Sequence, residues 1–296
     1  MKISRGEMMK AGLVVAAGTL VGGGGGAEFA PVATAAPTRR AAGSIRFAHV
    51  PDVHLDLNMP ATVAALERLV DAVKSGQPDL DFVLFGGDNF NNNAAPGEDA
   101  QLFGEIARKL PCPAYAVRGN KEAGRVGESS GYTLADFKVL LDNDATWVER
   151  DWKVEIGDHT VLGIDTTLDG MDNGTFSEAS MSFVEAELAA HPGRSHILMT
   201  HHAFENYWGG TDSADLHKYI LSNTADVQQR LFGYENLDLL LSGHKHRNHS
   251  GLIQGKKSLA TVAFVVPQDG SEPAAHHYRI IEIDETRITD TIVSTA

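Results

Sequence analysis

Two spacings of apolar residues alternate along the chain: short runs of strand length, and longer segments with apolar positions three and four apart. Ile45 to Val50 reads as a strand, and Val63, Leu66, Leu69, Val70 and Val73 then share one helical face that ends at Gly76. Phe82 to Phe85 is the next strand, followed by a helix carrying Leu102, Phe103, Ile106 and Leu110 that Pro111 stops, and Ala114 to Val117 makes a third strand. Between Trp147 and Thr167, two β-rich runs flank Gly157-Asp158, a hairpin signal, so the sheet is expected to be mixed. Ser177 is placed to cap a helix bearing Met181, Val184 and Leu188, and Ile197 to Met199 and Leu239 to Leu241 suit short buried strands. Thr261 to Val266 and Tyr278 to Val293 are again β-rich. No internal repeat is visible. The pattern predicts an α/β fold over residues 45–296, a layered mixed-sheet β-sandwich with helices outside it.

The N-terminus does not fit that pattern. Lys2, Arg5 and Lys10 give a basic start, Ala11 to Val21 form an apolar stretch, and Ala33-Thr34-Ala35 offers a small-residue cleavage site. Residues 1–35 are therefore expected to be an export signal and 36–44 a linker, with the mature protein periplasmic or extracellular; an N-terminal core helix is the plainer alternative. The segment Ser4 to Lys10 resembles a twin-arginine signal in which Gly6 stands where the second arginine belongs, a degenerate form. The apolar stretch dissolves into Gly22 to Gly26, too short for a stable membrane span of about 20 residues. A formal net charge of −14 argues against a nucleic-acid backbone or an anionic membrane as partner. The single cysteine, Cys112, excludes an internal disulfide and a thiolate-rich zinc site, so any metal must be held by His, Asp, Glu and Asn.

Such residues gather directly after the predicted strands, as Asp52-Val53-His54, Gly86-Gly87-Asp88-Asn89, Gly119-Asn120-Lys121-Glu122, Thr200-His201-His202 and Gly243-His244-Lys245-His246. Carboxyl ends of strands in an open α/β sheet converge on one rim, so these clusters predict a single site. If Asp52-x-His54 and His244-x-His246 are extended, each pair points to one side, and the glycines allow close approach of backbone and metal. Imidazole, carboxylate and amide oxygen form a donor set for two divalent or trivalent ions of the Mn, Fe, Zn or Co kind. Two such ions about 3.5–4 Å apart hold a bridging hydroxide and neutralise a phosphate ester in an in-line displacement.

The ordered set Asp52-x-His54, Gly87-Asp88, Gly119-Asn120, His201 or His202, and Gly243-His244-x-His246 resembles the calcineurin-like metallophosphoesterase superfamily. The resemblance implies one metal on Asp52, His54, Asp88 and His246, and a second on Asp88, Asn120, His201 and His244, with Asp88 as the bridge. It implies a small-molecule phosphate ester as substrate, and it favours His201 over His202 as ligand. One departure matters. Lys121 stands where the family usually places a phosphate-facing His, and some members that lack this His resemble phosphodiesterases. Three roles are open to it: proton donor to the leaving group, a charge on a phosphate oxygen, or a lysine facing solvent. The expected function is phosphate-ester hydrolysis leaning to diesters, with Asp88 and Lys121 as catalytic candidates. The alternatives are a phosphomonoesterase, a metal-binding scaffold without turnover, and a two-metal hydrolase of another bond. Asn91 to Asn93 read as plain loop, with pocket lining as the alternative; Tyr207 and Trp208 read as loop or packing aromatics, with cover for a base or an acyl group as the alternative; and His276 and His277 read as strand residues without a partner motif.

Overall fold

The computed structural model describes residues 43–93, 97–123, 132–208, 211, 215–265 and 276–295. The expected export signal, its cleavage site, most of the linker and Val266 lie outside these residues. Two sheets dominate. One has the order β12-β11-β1-β2-β3, with β1 Ile45–Val50, β2 Phe82–Phe85, β3 Ala114–Ala116, β11 His277–Ile283 and β12 Ile288–Ser294. The other runs β4-β5-β6-β7-β8-β10-β9, with β4 Thr146–Val148, β5 Asp151–Ile156, β6 His159–Ile164, β7 Ser195–Thr200, β8 Leu237–Ser242, β9 His249–Ile253 and β10 Lys256–Ala260. Strands β1, β2 and β3 are parallel, as are β6, β7, β8 and β10, and the remaining pairs are antiparallel.

The apolar runs are continuous because both faces of the central strands are covered. Phe47, Phe82 and Leu84 face Ile197, Met199, Leu239 and Leu241 of the second sheet. Their neighbours Ala48, Val83 and Phe85 turn outward onto α1 (Pro60–Gly76) and α2 (Glu98–Ala107), through Leu66, Leu69, Val70 and Phe103. On the far side, Leu198 and Leu240 pack with Met181, Val184 and Leu188 of α4 (Glu178–Ala190) and Val227 of α5 (Thr224–Leu231). The result is helices, sheet, sheet, helices. Trp152 pins the two sheets together: its ring stacks on Tyr115 at 5.5 Å and its Nε1 donates to the Ala116 carbonyl at 2.8 Å.

Local chemistry explains the element ends. Pro60 starts α1, where its missing N–H costs nothing. Ser177 accepts from the Ser180 N–H at the start of α4, and Thr133 with Asp136 forms a capping box on α3 (Leu134–Val139). Three expectations need correction. Helix α2 ends at Ala107 instead of running to Leu110. The strand expected over Thr261 to Val266 is not found over residues 261–265; β10 ends before it, at Ala260, and pairs with β8 on one side and β9 on the other. Asp52, His54, His244 and His246 are not extended: each has positive φ, between 48° and 64°. The ligand pairs therefore do not project to one side by strand alternation. No helix among the described residues is long and apolar enough to cross a membrane.

Candidate metal centre

The loops after β1, β2, β3, β7 and β8 meet where the two sheets adjoin. Asp52 donates its N–H to Gly87 O at 2.9 Å, and His54 donates to Asp88 O at 2.8 Å, lacing the first loop to the second. These bonds hold Asp52, His54 and Asp88 in left-handed backbone that is unfavourable for residues with a Cβ, by about 1–3 kcal/mol each. Tertiary bonding dictates the conformation here, not local preference. At Gly119 a Cβ would lie 2.3 Å from both the N and Oδ1 of Asp88, so only glycine lets these two loops touch.

Two groups of donors result, Asp52 with His54 and His246, and Asp88 with His201 and His244, each with its ligand atoms within 4.8 Å of one another. His54 Nε2 lies 3.3 Å from His246 Nε2, 3.9 Å from Asp52 Oδ1 and 3.7 Å from Asp88 Oδ2. His201 Nε2 lies 3.5 Å from Asp88 Oδ1 and 3.2 Å from Asn120 Oδ1. Asp88 thus turns one carboxylate oxygen toward each group.

The outer nitrogens fix the tautomers. His201 Nδ1 faces the Gly86 carbonyl at 2.9 Å and so carries the proton, leaving Nε2 as a lone pair aimed inward. His54 Nδ1 donates to Asn91 Oδ1 at 2.9 Å, and His244 Nε2 donates to the Lys218 carbonyl at 2.6 Å, which leaves His244 Nδ1 free. His202 is different. Its Nδ1 accepts from Thr166 Oγ1 at 2.8 Å and its Nε2 donates to the Asp172 carbonyl at 3.0 Å, so neither nitrogen is left for a metal. This assigns His201, not His202, to the donor set.

Lone pairs facing carboxylate oxygens repel unless a cation lies between them. A proton is one such cation: although burial works against it, the Asp88 carboxylate lifts His201 to about 9. A metal is the other, and these donors fit it: His54 and His244 are held in the neutral form that binds, while at His246 burial is outweighed by the Asp52 carboxylate, which raises the pKa. Burial lowers His54, and burial with the neighbouring His201 lowers His244 to about 4. Burial opposes ionisation of Asp88, but His201 and His54 outweigh it and hold the carboxyl well below its usual range.

The calcineurin-like phosphoesterase family profile matches residues 45–248. The chain belongs to this family. The cyclic adenosine monophosphate phosphodiesterase CpdA of Escherichia coli is 23% identical over 224 residues, covering 73% of this chain and 75% of that protein. A protein of Arcobacter nitrofigilis named "Probable glycerophosphodiester phosphodiesterase GpdQ" is 24% identical over 184 residues, which span 62% of this chain and 63% of that relative's length. A dimetal phosphatase from Danio rerio superposes with a TM-score of 0.65 at 11% identity, covering 85% of this chain and 99% of that one, a likeness of fold.

Around this site lie supporting residues whose roles the sequence did not assign. Asn91 lines the cavity, as the alternative had it: its Oδ1 holds His54 while its Nδ2 donates to Asp56 Oδ2 at 3.2 Å, which Asn93 also reaches at 2.9 Å. Glu122 is 2% exposed and accepts the backbone N–H groups of Gly119, Asp88, Asn89 and Phe90, tying two ligand loops to one carboxylate. Its position in Gly119-Asn120-Lys121-Glu122 was the available signal. Asp172 Oδ1 accepts from Asn120 Nδ2 at 3.1 Å, which turns the Asn120 oxygen inward. Lys121 donates its N–H to Asp88 Oδ1 at 2.8 Å, and it lines a cavity of about 370 Å³ with Tyr219, Lys218 and the donors His54, Asp88, Asn120, His244 and His246. A larger cavity, about 730 Å³, opens at the opposite ends of the strands beside Asp158, Ser195 and Asp238, away from both donor groups. His277 begins β11 and His276 faces Arg68 at 3.2 Å, both remote from the donor groups.

Proposed function

We propose that this chain is a two-metal phosphoesterase acting on small phosphate esters, with a preference for diesters. The observation that carries the reading is Asp88, whose two carboxylate oxygens face separate donor groups, Oδ2 toward His54 and Oδ1 toward His201. Asp52, His54, Asp88 and His246 would hold one ion, and Asp88, Asn120, His201 and His244 the other, of the Mn, Fe, Zn or Co kind. When bound, such a pair neutralises phosphoryl charge and activates water at neutral pH.

The chain's own residues do the rest. Gly86 O, Asn91 and Lys218 O hold His201, His54 and His244 in the orientations that present their inward nitrogens. Asp172 orients Asn120. Lys121 brings an ammonium to the cavity where the ester sits, placing charge on a phosphate oxygen or a proton on the departing one. A lysine there, together with relatives named as phosphodiesterases, supports diesters over monoesters.

The test is turnover by metal-stripped protein with and without Mn²⁺ on bis(p-nitrophenyl) phosphate, p-nitrophenyl phosphate and a p-nitroanilide. Manganese-dependent hydrolysis, fastest on the diester, is expected. Bound metal without turnover on any substrate would favour the scaffold reading. We also propose that residues 1–35 direct export and that 36–44 link them to the catalytic domain at 45–296, so the mature chain begins near Ala36. Intact mass of exported protein tests this, and a chain starting at Met1 would contradict it.

A further inference from the structure

Lys218 and Tyr219, which lie between β7 and α5 in the chain, line the cavity, and Lys245 packs against the Tyr219 ring. Lys245 lies between His244 and His246, yet its Nζ sits 3.8 Å from the centre of the Tyr219 ring and 5.1 Å from that of Trp208. Its Nζ also donates to Thr211 Oγ1 at 3.3 Å, the same hydroxyl that accepts from Trp208 Nε1 at 2.8 Å. Trp208 meets Tyr219 edge to face at 5.9 Å. An ammonium over the face of each ring is attracted by its π quadrupole, so the lysine fixes the plane of Tyr219.

That ring is close to the chemistry. Its centre is 5.6 Å from the His244 ring, it lines the cavity, and the preceding residue's carbonyl accepts the His244 proton. The turn that orients a metal-facing histidine therefore also sets the aromatic wall. A phosphoryl group held between the donor groups and Lys121 must direct an organic substituent into this cavity. A rigid π surface favours a planar ring there over a flexible alkyl chain, which has no flat face to stack and more freedom to lose.

We propose that Tyr219 is the specificity-determining residue for the organic group and that Lys245 is its positioning residue, so the site selects phosphodiesters bearing a heteroaromatic, nucleoside-type substituent. This rests on the phosphoesterase reading above. The test compares thymidine 5′-(p-nitrophenyl phosphate) with methyl p-nitrophenyl phosphate on manganese-loaded protein, two diesters that share one leaving group. The wild type prefers the thymidine ester, and Tyr219→Ala lowers that preference roughly tenfold while Tyr219→Phe keeps it. Lys245→Met raises KM for the thymidine ester with kcat little changed, and Lys245→Arg restores KM. Absence of a wild-type preference, or equal loss on both esters in Tyr219→Ala, overturns the proposal. If the wild type hydrolyses neither ester, the phosphoesterase reading fails, and calorimetry with thymidine 5′-monophosphate decides the wall separately. Weaker binding to Tyr219→Ala than to wild type sustains it; equal affinity overturns it.

Discussion

Replacing Glu122 with glutamine removes a charge and one acceptor oxygen while keeping the side chain's shape. Oε2 accepts from Gly119 N–H at 2.7 Å and from Asp88 N–H at 3.0 Å, and Oε1 accepts from Phe90 N–H at 3.2 Å and from Asn89 N–H. Whichever way the amide turns, its NH₂ faces donors, so two buried N–H groups lose their partner. At about 1–3 kcal/mol for each of the two buried donors left unsatisfied, the loss is about 2–6 kcal/mol. Burial and the Asp88 charge push Glu122 up to about 7, and bound cations beside Asp88 counter that rise, so the unfolding measurement belongs at pH 8 with Mn²⁺ saturating, where the carboxylate is ionised at little cost. The same bonds hold Asp88 and Asn120 in place, so Mn²⁺ affinity is expected to fall by about 10–100-fold, as for loss of a ligand's supporting contact. Urea unfolding at saturating Mn²⁺ and calorimetric Mn²⁺ titration read the two effects. A Glu122→Gln variant with the wild-type unfolding midpoint and wild-type Mn²⁺ affinity would refute the reasoning.

Two further outcomes follow from the same geometry. If Lys121 donates a proton, Lys121→Ala slows aryl diesters with poor leaving groups more than those with good ones; a role by charge alone slows all by roughly 10²–10³-fold, and unchanged kcat/KM across the series returns it to a solvent-facing lysine. Asp151 is raised from 3.8 to about 6 by burial, so folding favours its protonated form: its contribution is fullest below pH 4 and is lost as pH rises through 6. Its Oδ1 accepts the Asp165 N–H at 2.9 Å, a bond an amide oxygen keeps, so Asp151→Asn should be the more stable protein at pH 8, by about 3 kcal/mol, with a flatter pH dependence in denaturant unfolding. An equally steep decline in both proteins would contradict this.

The central strands were legible because both faces of β1, β2, β7 and β8 are buried, which leaves unbroken apolar runs ending at the chemistry. Elements whose span is largely polar were not. Strand β10 begins Lys256-Lys257-Ser258, and α5 holds only Val227 and Leu231 in its core-facing stripe, too little signal for an apolar period. The donor residues were legible by order and position, but not their geometry. Their left-handed backbone is imposed by bonds such as Asp52 N–H to Gly87 O, between residues distant in sequence. The same holds for Asn91, whose value lies in meeting both His54 and Asp56, and for Lys245, which turns from the donor groups to Tyr219 and Trp208. The choice between His201 and His202 rested on resemblance in the sequence and rests on hydrogen bonding in the structure, where Thr166 and Asp172 O occupy both nitrogens of His202.

The claim that Asp88 joins two ion sites is tested most directly by metal analysis of purified Asp88→Ala alongside wild type after manganese loading, with diesterase activity measured on the same samples. The account predicts about two ions per wild-type chain. In the variant it predicts a fall toward one ion or none, with turnover abolished. A variant that keeps full metal content and wild-type activity would contradict it.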